Sequence, residues 1–408
     1  MTQATAARTG WTLMLCASAM LMITMGGRQS MGLFIGPITQ ATGVGIVGIS
    51  FALAIGQFVW GAVQPIFGAI ADQYGARPVI FCGTLLLALG YVLVPHAGSQ
   101  FGLMMTMGVL VASGAGAASF SILIGATASA LPPEKRSFAS GLINAGGSFG
   151  QFVFAPLAQL MIVAFGWVAA MYSLAAASLL VIPLLLGLGR RQTPAESPVT
   201  GVPAGAGLGA QLRVALRDRS YWLLHAGFFT CGVHIAFLVT HLPGEVSLCG
   251  LPASVSATSL ALIGLFNVAG SLTAGALGSR LRMKYVLGAM YASRVLIIAI
   301  YLVSPRTPLT FYVFAAALGF SWLATVPPTA GLVGKLFGTR YLGTLFGLTL
   351  LSHQIGGFFG AWLGGVTIAR FGDYNWMWYG DMLLAGVAAL LCLPIREARM
   401  KSTAPLVA

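Results

Sequence analysis

Runs of apolar residues, each near the roughly 20 residues needed to cross a bilayer as an α-helix, recur from one end of the chain to the other. Gly166 to Leu188 and Tyr285 to Val303 are two of them. Short basic, Gly-rich or Pro-rich stretches separate the runs. Breaking the chain there predicts helices near 11–38, 47–72, 78–96, 101–128, 137–163 and 167–189, then 220–243, 256–279, 284–303, 308–331, 341–367 and 376–395. Between the two sets lies Arg190 to Arg219, rich in Gly, Pro, Ala and basic residues, which suits a mobile linker. The expected fold is an all-α membrane protein with twelve transmembrane helices in two six-helix halves. Its parts are an N-terminal half (1–189), a linker (190–219) and a C-terminal half (220–408).

Composition narrows the class. The chain is 58% hydrophobic and 7% charged over 408 residues, where a soluble domain carries about a quarter charged residues. The net charge of +13 does not indicate a nucleic-acid binder, because the basic residues are spread along the ends of apolar runs and form no single patch. When loops are assigned alternately to two sides, all but four of the 21 Lys and Arg fall on one side. Arg306 and Arg370 fall on the other, while Arg28 and Arg294 lie inside apolar runs. The positive-inside rule then makes both termini and the linker cytoplasmic, in a multi-pass protein of a bacterial inner membrane. The first apolar run, from Trp11, is too long for a signal-peptide core and reads as helix 1. Five scattered cysteines show neither metal-ligand spacing nor a disulfide framework.

The loop after helix 2 reads Gly68-Ala-Ile-Ala-Asp72-Gln-Tyr-Gly75-Ala-Arg77. It resembles the G-x-x-x-D-x-x-G-x-R signature of the major facilitator superfamily. A degenerate copy follows helix 8, Gly275-Ala-Leu-Gly-Ser279-Arg280-Leu-Arg282, with Ser279 at the acidic position, as two related halves would give. The resemblance implies a conformational charge latch made by Asp72, Arg77 and Arg136. Helix 5 (Gly141, Asn144, Gly146, Gly147, Gly150, Gln151) and helix 11 (Gly347, His353, Gln354, Gly356, Gly357) carry small residues at spacings that let helices approach closely in lipid. No nucleotide-binding loop, metal cluster or nucleophile constellation accompanies them, so neither an enzyme nor a cofactor is expected.

An ionisable group in hydrocarbon is costly, about 2.5–3.5 kcal/mol on insertion scales, and usually faces a partner or a substrate path. Arg28, in Gly26-Gly-Arg28-Gln29-Ser30, has no acid near it in sequence. Its guanidinium either snorkels to the headgroups or faces a cavity, where its planar fork could donate two hydrogen bonds to a carboxylate. Helix 7 carries His225, His234 and His241, of which His234 is at mid-depth and could bind substrate or titrate near neutral pH. His353 sits halfway along helix 11. Gln29, Asn144, Gln151 and Asn267 are polar at plausible cavity depth. Arg294 reads either as a substrate contact or as a structural partner of Asp381. None of the eight acidic residues lies at the centre of an N-terminal-half helix, which argues against cation efflux through a buried carboxylate.

Gly26-x-x-x-Ser30-x-x-Leu-Phe-x-x-Pro37-Ile38, Ala139-Ser-Gly141 and Gly264-Leu-Phe-Asn267 resemble the monocarboxylate and oxalate:formate branch of the superfamily. There a helix 8 Arg binds the carboxylate, and Ser271 occupies that position here. The same comparison sets His353 where the oxalate:formate antiporter has a cavity lysine and Arg28 where it has a glutamine. Positive charge is therefore expected to have moved from helix 8 to helix 1. The resulting expectation is a monomeric secondary transporter of a small organic anion, working by proton symport or anion exchange. The alternative is proton-driven efflux of drugs or other hydrophobic compounds.

Overall fold

The computed structural model describes residues 3–188 and 207–397; most of the predicted linker and the last eleven residues lie outside them. Twelve helical segments cross the molecule in alternating directions, and nine stretches among the described residues are long and apolar enough by themselves to span a membrane. In the first half α1 comprises Gln3–Gln29, a 3-10 turn Ser30–Phe34 and Ile35–Thr42, while α2 is Ile46–Tyr74 and α3 is Ala76–Leu93 with the turn Val94–His96. The fourth segment, α4, is assembled from Gln100–Leu103, a π-helical stretch Met104–Val111, Ala112–Ala117 and Phe120–Ala130. A run from Pro133 to Leu179 breaks at Gly166, whose φ of 83° no side-chain-bearing residue adopts readily, and so yields α5 (133–165) and α6 (167–187). That break falls where the sequence pattern predicts it.

After a short helix, Leu208–Arg217, the second half contains α7 (Arg219–Leu248), α8 (Ala253–Arg280), α9 (Met283–Val303), α10 (Pro308–Ser321 and Val326–Phe337), α11 (Leu342–Phe371) and α12 (Asn375–Cys392). The sequence pattern predicts single helices over 11–38, 101–128 and 308–331, and the structure breaks all three. Around Ala118, Thr24 donates to the freed carbonyl (3.2 Å). In α10 the interruption at 322–325 precedes Pro327 and Pro328, which lack the N–H needed to accept Leu323 and Ala324 into the helical ladder. Backbone groups freed inside a bilayer need other partners, and α10 finds them in Arg294, Asn144 and Asn267, described below.

The loops carrying Arg77, Lys135, Arg136, Arg280 and Arg282 share one face, here called the basic face. At that face the halves repeat one device. Arg77, at the start of α3, donates to the carbonyls of Leu188 (3.1 Å) and Leu186 (3.2 Å) at the end of α6. Lys284, at the start of α9, donates to Leu393 (2.8 Å) and Ile395 (3.0 Å) at the end of α12. Cations at helix C-termini complement the exposed carbonyls and the helix dipole. Large apolar side chains such as Val163, Leu296 and Leu383 stay exposed on the outer surface, as a lipid-facing surface requires.

Candidate functional site

One face of α2 organises the interior. Gln57, Trp60, Gly61, Gln64, Gly68 and Asp72 recur at three- and four-residue intervals and so line up along it. At the basic end Gly68 meets α11 so closely that a Cβ there would lie 2.5 Å from the Gly343 carbonyl oxygen. One turn on, the Asp72 carboxylate accepts from the backbone N–H (2.8 Å) and hydroxyl (2.7 Å) of Thr344. Asp72 thereby caps the N-terminus of α11 across the two halves, where the dipole favours an anion. Of the other predicted latch residues, Arg77 ties α3 to α6, and Arg136 donates to the Leu131 carbonyl (3.0 Å) within its own half.

Farther from the basic face the same stripe meets Arg28. Its guanidinium lies over the Trp60 ring, 4.4 Å from the centroid, and donates to Gln57 Oε1. Among the described residues no carboxylate meets it. Gly27 makes room for Tyr91, since a Cβ at 27 would sit 2.8 Å from the Tyr91 hydroxyl. The Tyr91 hydroxyl, the Trp60 indole nitrogen and the Gln64 amide nitrogen are all buried without a hydrogen-bond partner. Gln64 Oε1 accepts from Ser121 (3.1 Å), and Phe120 meets Trp60 edge-on at 6.4 Å. From the other half, Gln354 of α11 packs against Gly61, and the neighbouring His353 bonds Gln354 through Nδ1 (3.0 Å) with its Nε2 buried and unpartnered. Trp60 and Gln64 are buried, whereas Gln57, a turn farther from the basic face, is exposed and Arg28 is half-buried. The interior therefore opens away from the basic face.

Other predicted residues gather at a second place. Asn144 donates to Ser271 (2.6 Å) and to the Leu323 carbonyl (2.8 Å), while Asn267 donates to Ser148 (2.5 Å) and accepts from Leu323 N–H (3.0 Å). Both are fully buried in a seam joining α5, α8 and the break in α10, not beside Arg28. Ser271 belongs to this seam. Gln29 and Gln151 are half-buried and their side chains make no hydrogen bond among the described residues.

Arg294 corrects an expectation. The anticipated partner, Asp381, is instead paired with His234. Arg294 donates to the carbonyls of Ser321 (2.6 Å) and Trp322 (2.5 Å) and to Cys231 Sγ (3.4 Å), which satisfies the start of the α10 break. His225 bonds Ser352 (2.6 Å), and His241 lies against Tyr374. Sequence reasoning passed over Tyr91, and it did not place Gln57 and Trp60 on Arg28. The α2 stripe was the available signal for the latter pair, whereas nothing in α3 distinguishes Tyr91. At the basic face Glu397 accepts from the N–H groups of Met283 and Lys284 (both 3.0 Å) and pairs with Lys335 (2.6 Å), so it supplies the acid that Ser279 lacks in the second loop motif.

Two helical halves locked at one face, around an interior rich in unpartnered donors, define a carrier-type membrane protein. The sequence profile of the Major Facilitator Superfamily matches residues 17–361, and the chain belongs to that family. It is a multi-pass transport protein and not an enzyme. Monocarboxylate transporter 13 of Bos taurus is 29% identical over 396 residues, covering 94% of this chain and 89% of that one. Human monocarboxylate transporter 11 is 26% identical over 404 residues, covering 94% and 83%. Among solved structures, a single-residue variant of the Escherichia coli fucose:proton symporter FucP aligns with a TM-score of 0.70 at 17% identity, covering 95% of this chain and 98% of that one. FucP in the outward conformation aligns with a TM-score of 0.74 at 16% identity, covering 94% and 99%.

Proposed function

We propose that this protein is a secondary transporter of a small organic anion of the monocarboxylate kind, working by alternating access with proton symport or anion exchange. The observation that carries the reading is Arg28: a guanidinium over the Trp60 ring with no carboxylate partner among the described residues, the unpartnered donors of Trp60 and Gln64 lying along the same α2 stripe and that of Tyr91 against Gly27. Such a site has positive charge and N–H or O–H groups to offer and almost nothing to accept with, which suits a carboxylate and disfavours a cationic drug. In this reading Gln354, packed on Gly61, and the adjoining His353 contribute from the second half, with Gln29 next to Arg28 in sequence. The monocarboxylate transporters among the relatives support the same substrate class. The rocking bodies are the halves 1–189 and 220–408 on either side of the 190–219 linker, acting as one chain.

The basic face is the cytoplasmic one by the positive-inside rule, with both termini on that side of a bacterial inner membrane. The conformation described is then outward-facing, held by Asp72 on Thr344 and by the Asn144–Ser271–Asn267 seam.

Thermal stabilisation of detergent-purified protein by mono- and dicarboxylates, aromatic acids, inorganic oxyanions and cationic drugs tests the reading, with Arg28→Ala alongside. Stabilisation by one class of organic anion, absent in the variant, is expected. Stabilisation only by cationic or neutral drugs, unchanged in the variant, would replace the anion carrier with an efflux pump.

A further inference from the structure

The second half contains a buried ionic group that anion binding at Arg28 does not use. His234 Nδ1 faces Asp381 Oδ2 across α7 and α12, and the two side chains are only 2% and 1% exposed. The other ring nitrogen, Nε2, is buried without a partner. With Asp381 ionised, Nδ1 carries the hydrogen and Nε2 presents a bare lone pair.

Few charges share this depth. On α9 Arg294 is fully buried and held to the α10 break, with Tyr291 beside it; on α11 there is His353; on α7 itself there is Cys231. The only charged residues of α8 and α10, Arg280 and Lys335, lie at the basic ends. Asp381 and Arg294 are of opposite charge, and a proton on His234 adds one net positive charge to this core.

We propose that the His234–Asp381 pair is the proton-binding site of the carrier, the proton being taken up at His234 Nε2 and read out through the break in α10. This rests on the anion-carrier reading and selects symport within it. Protonation would place one uncompensated positive charge in the C-terminal core, and a carboxylate arriving at Arg28 would add one negative charge to the same bundle. Each then favours the other, and the coupling is reciprocal. A physical connection is present: the His234 ring meets Trp322 at 5.7 Å, Trp322 gives its carbonyl to Arg294, and the next residue, Leu323, is held by Asn144 from the other half and by Asn267 from its own. A change in the charge or tilt of the imidazole thus reaches the seam that must part when the carrier reverses.

The test uses full-length protein in proteoliposomes with radiolabelled L-lactate, and benzoate as an aromatic alternative. At one proton per anion, a one-unit inward pH step drives about tenfold accumulation, since one pH unit is about 1.4 kcal/mol. His234→Gln and Asp381→Asn are expected to lower that accumulation to the uncoupled ratio of about one while leaving lactate-for-lactate counterflow within a few-fold of the original. Undiminished accumulation would overturn the proposal. So would loss of counterflow together with accumulation, which would make the pair structural.

Failure of the unsubstituted protein to carry either acid would instead count against the anion reading. The proton site is then judged by a measurement without substrate: the melting temperature of His234→Gln relative to the unsubstituted protein between pH 5 and 8. A difference that changes across this range supports a proton taken up at His234, and a constant difference overturns it.

Discussion

Replacing Gly68 by Ala should open the basic face. The added Cβ would lie 2.5 Å from the Gly343 carbonyl oxygen, 2.6 Å from its carbon and 2.8 Å from the Thr344 nitrogen, all backbone atoms that cannot rotate away. Non-bonded carbon contacts settle near 3.5–4.0 Å, so α2 and α11 must separate by about 1 Å. Adding that to the 2.8 and 2.7 Å bonds from Thr344 to Asp72 carries both beyond hydrogen-bond range. Two hydrogen bonds to a charged acceptor are worth about 1.5–3 kcal/mol each, so the closed basic face loses about 3–6 kcal/mol. At tenfold per 1.4 kcal/mol, the balance between the two carrier states shifts about a hundredfold or more toward the one open at the basic face. Spin labels on Tyr74→Cys and Arg282→Cys, in a Cys82→Ser background because Cys82 is exposed, report the separation of the halves there. A distance distribution that superimposes on that of the protein with Gly68 intact would refute the reasoning.

Three further outcomes can be measured directly. Arg28→Met should leave the melting temperature of the unliganded protein unchanged or raised, because it removes a charge with no acid beside it, while abolishing stabilisation by carboxylates; a large fall without ligand would mark Arg28 as structural. Arg294→Met leaves the carbonyls of Ser321 and Trp322 without their donor in an apolar interior and should destabilise by about 2–5 kcal/mol, seen as a fall of several degrees in a thermal melt. Glu397→Gln weakens the cap on α9 and the pair with Lys335, for about 1 kcal/mol; in a double-mutant cycle with Lys335→Ala the two losses should fall short of additive.

Helix positions were legible because a bilayer imposes one length and one polarity on every crossing, and basic loops mark the ends. The break at Gly166 was legible for the same reason. Interruptions inside a crossing were not, because the residues around Ala118 and Trp322 stay apolar and hydropathy does not register a lost backbone bond. Pro327 and Pro328 did carry that signal in α10. Arg28 could be singled out as an intramembrane charge without an acid in its own helix, but His234 and Asp381 are 147 positions apart, and nothing in two amphipathic patterns says which helices of a bundle are neighbours. The pattern likewise gives depth in the membrane and not azimuth, so it does not show that Asp381 bonds His234 directly while Arg294 donates to the α10 carbonyls. Asn144 and Asn267 sit at the depth of a binding site yet lie in the seam between helices, a distinction made only by packing.

The Arg28 guanidinium has an electrical consequence. In the proposed outward-facing state the site meets the solution on one side, and the charge shares the potential of that side. When the opening passes to the other face, an empty carrier moves one elementary charge through the transmembrane field, worth up to about 2.3 kcal/mol for every 100 mV. Under the symport reading a carboxylate on Arg28 cancels that charge and the proton at His234 restores it, so the loaded carrier moves the same charge as the empty one and the full cycle is electroneutral. Membrane potential then acts with opposite sign on the loaded stroke and on the empty return stroke, and changes the pace of net transport without moving its end point.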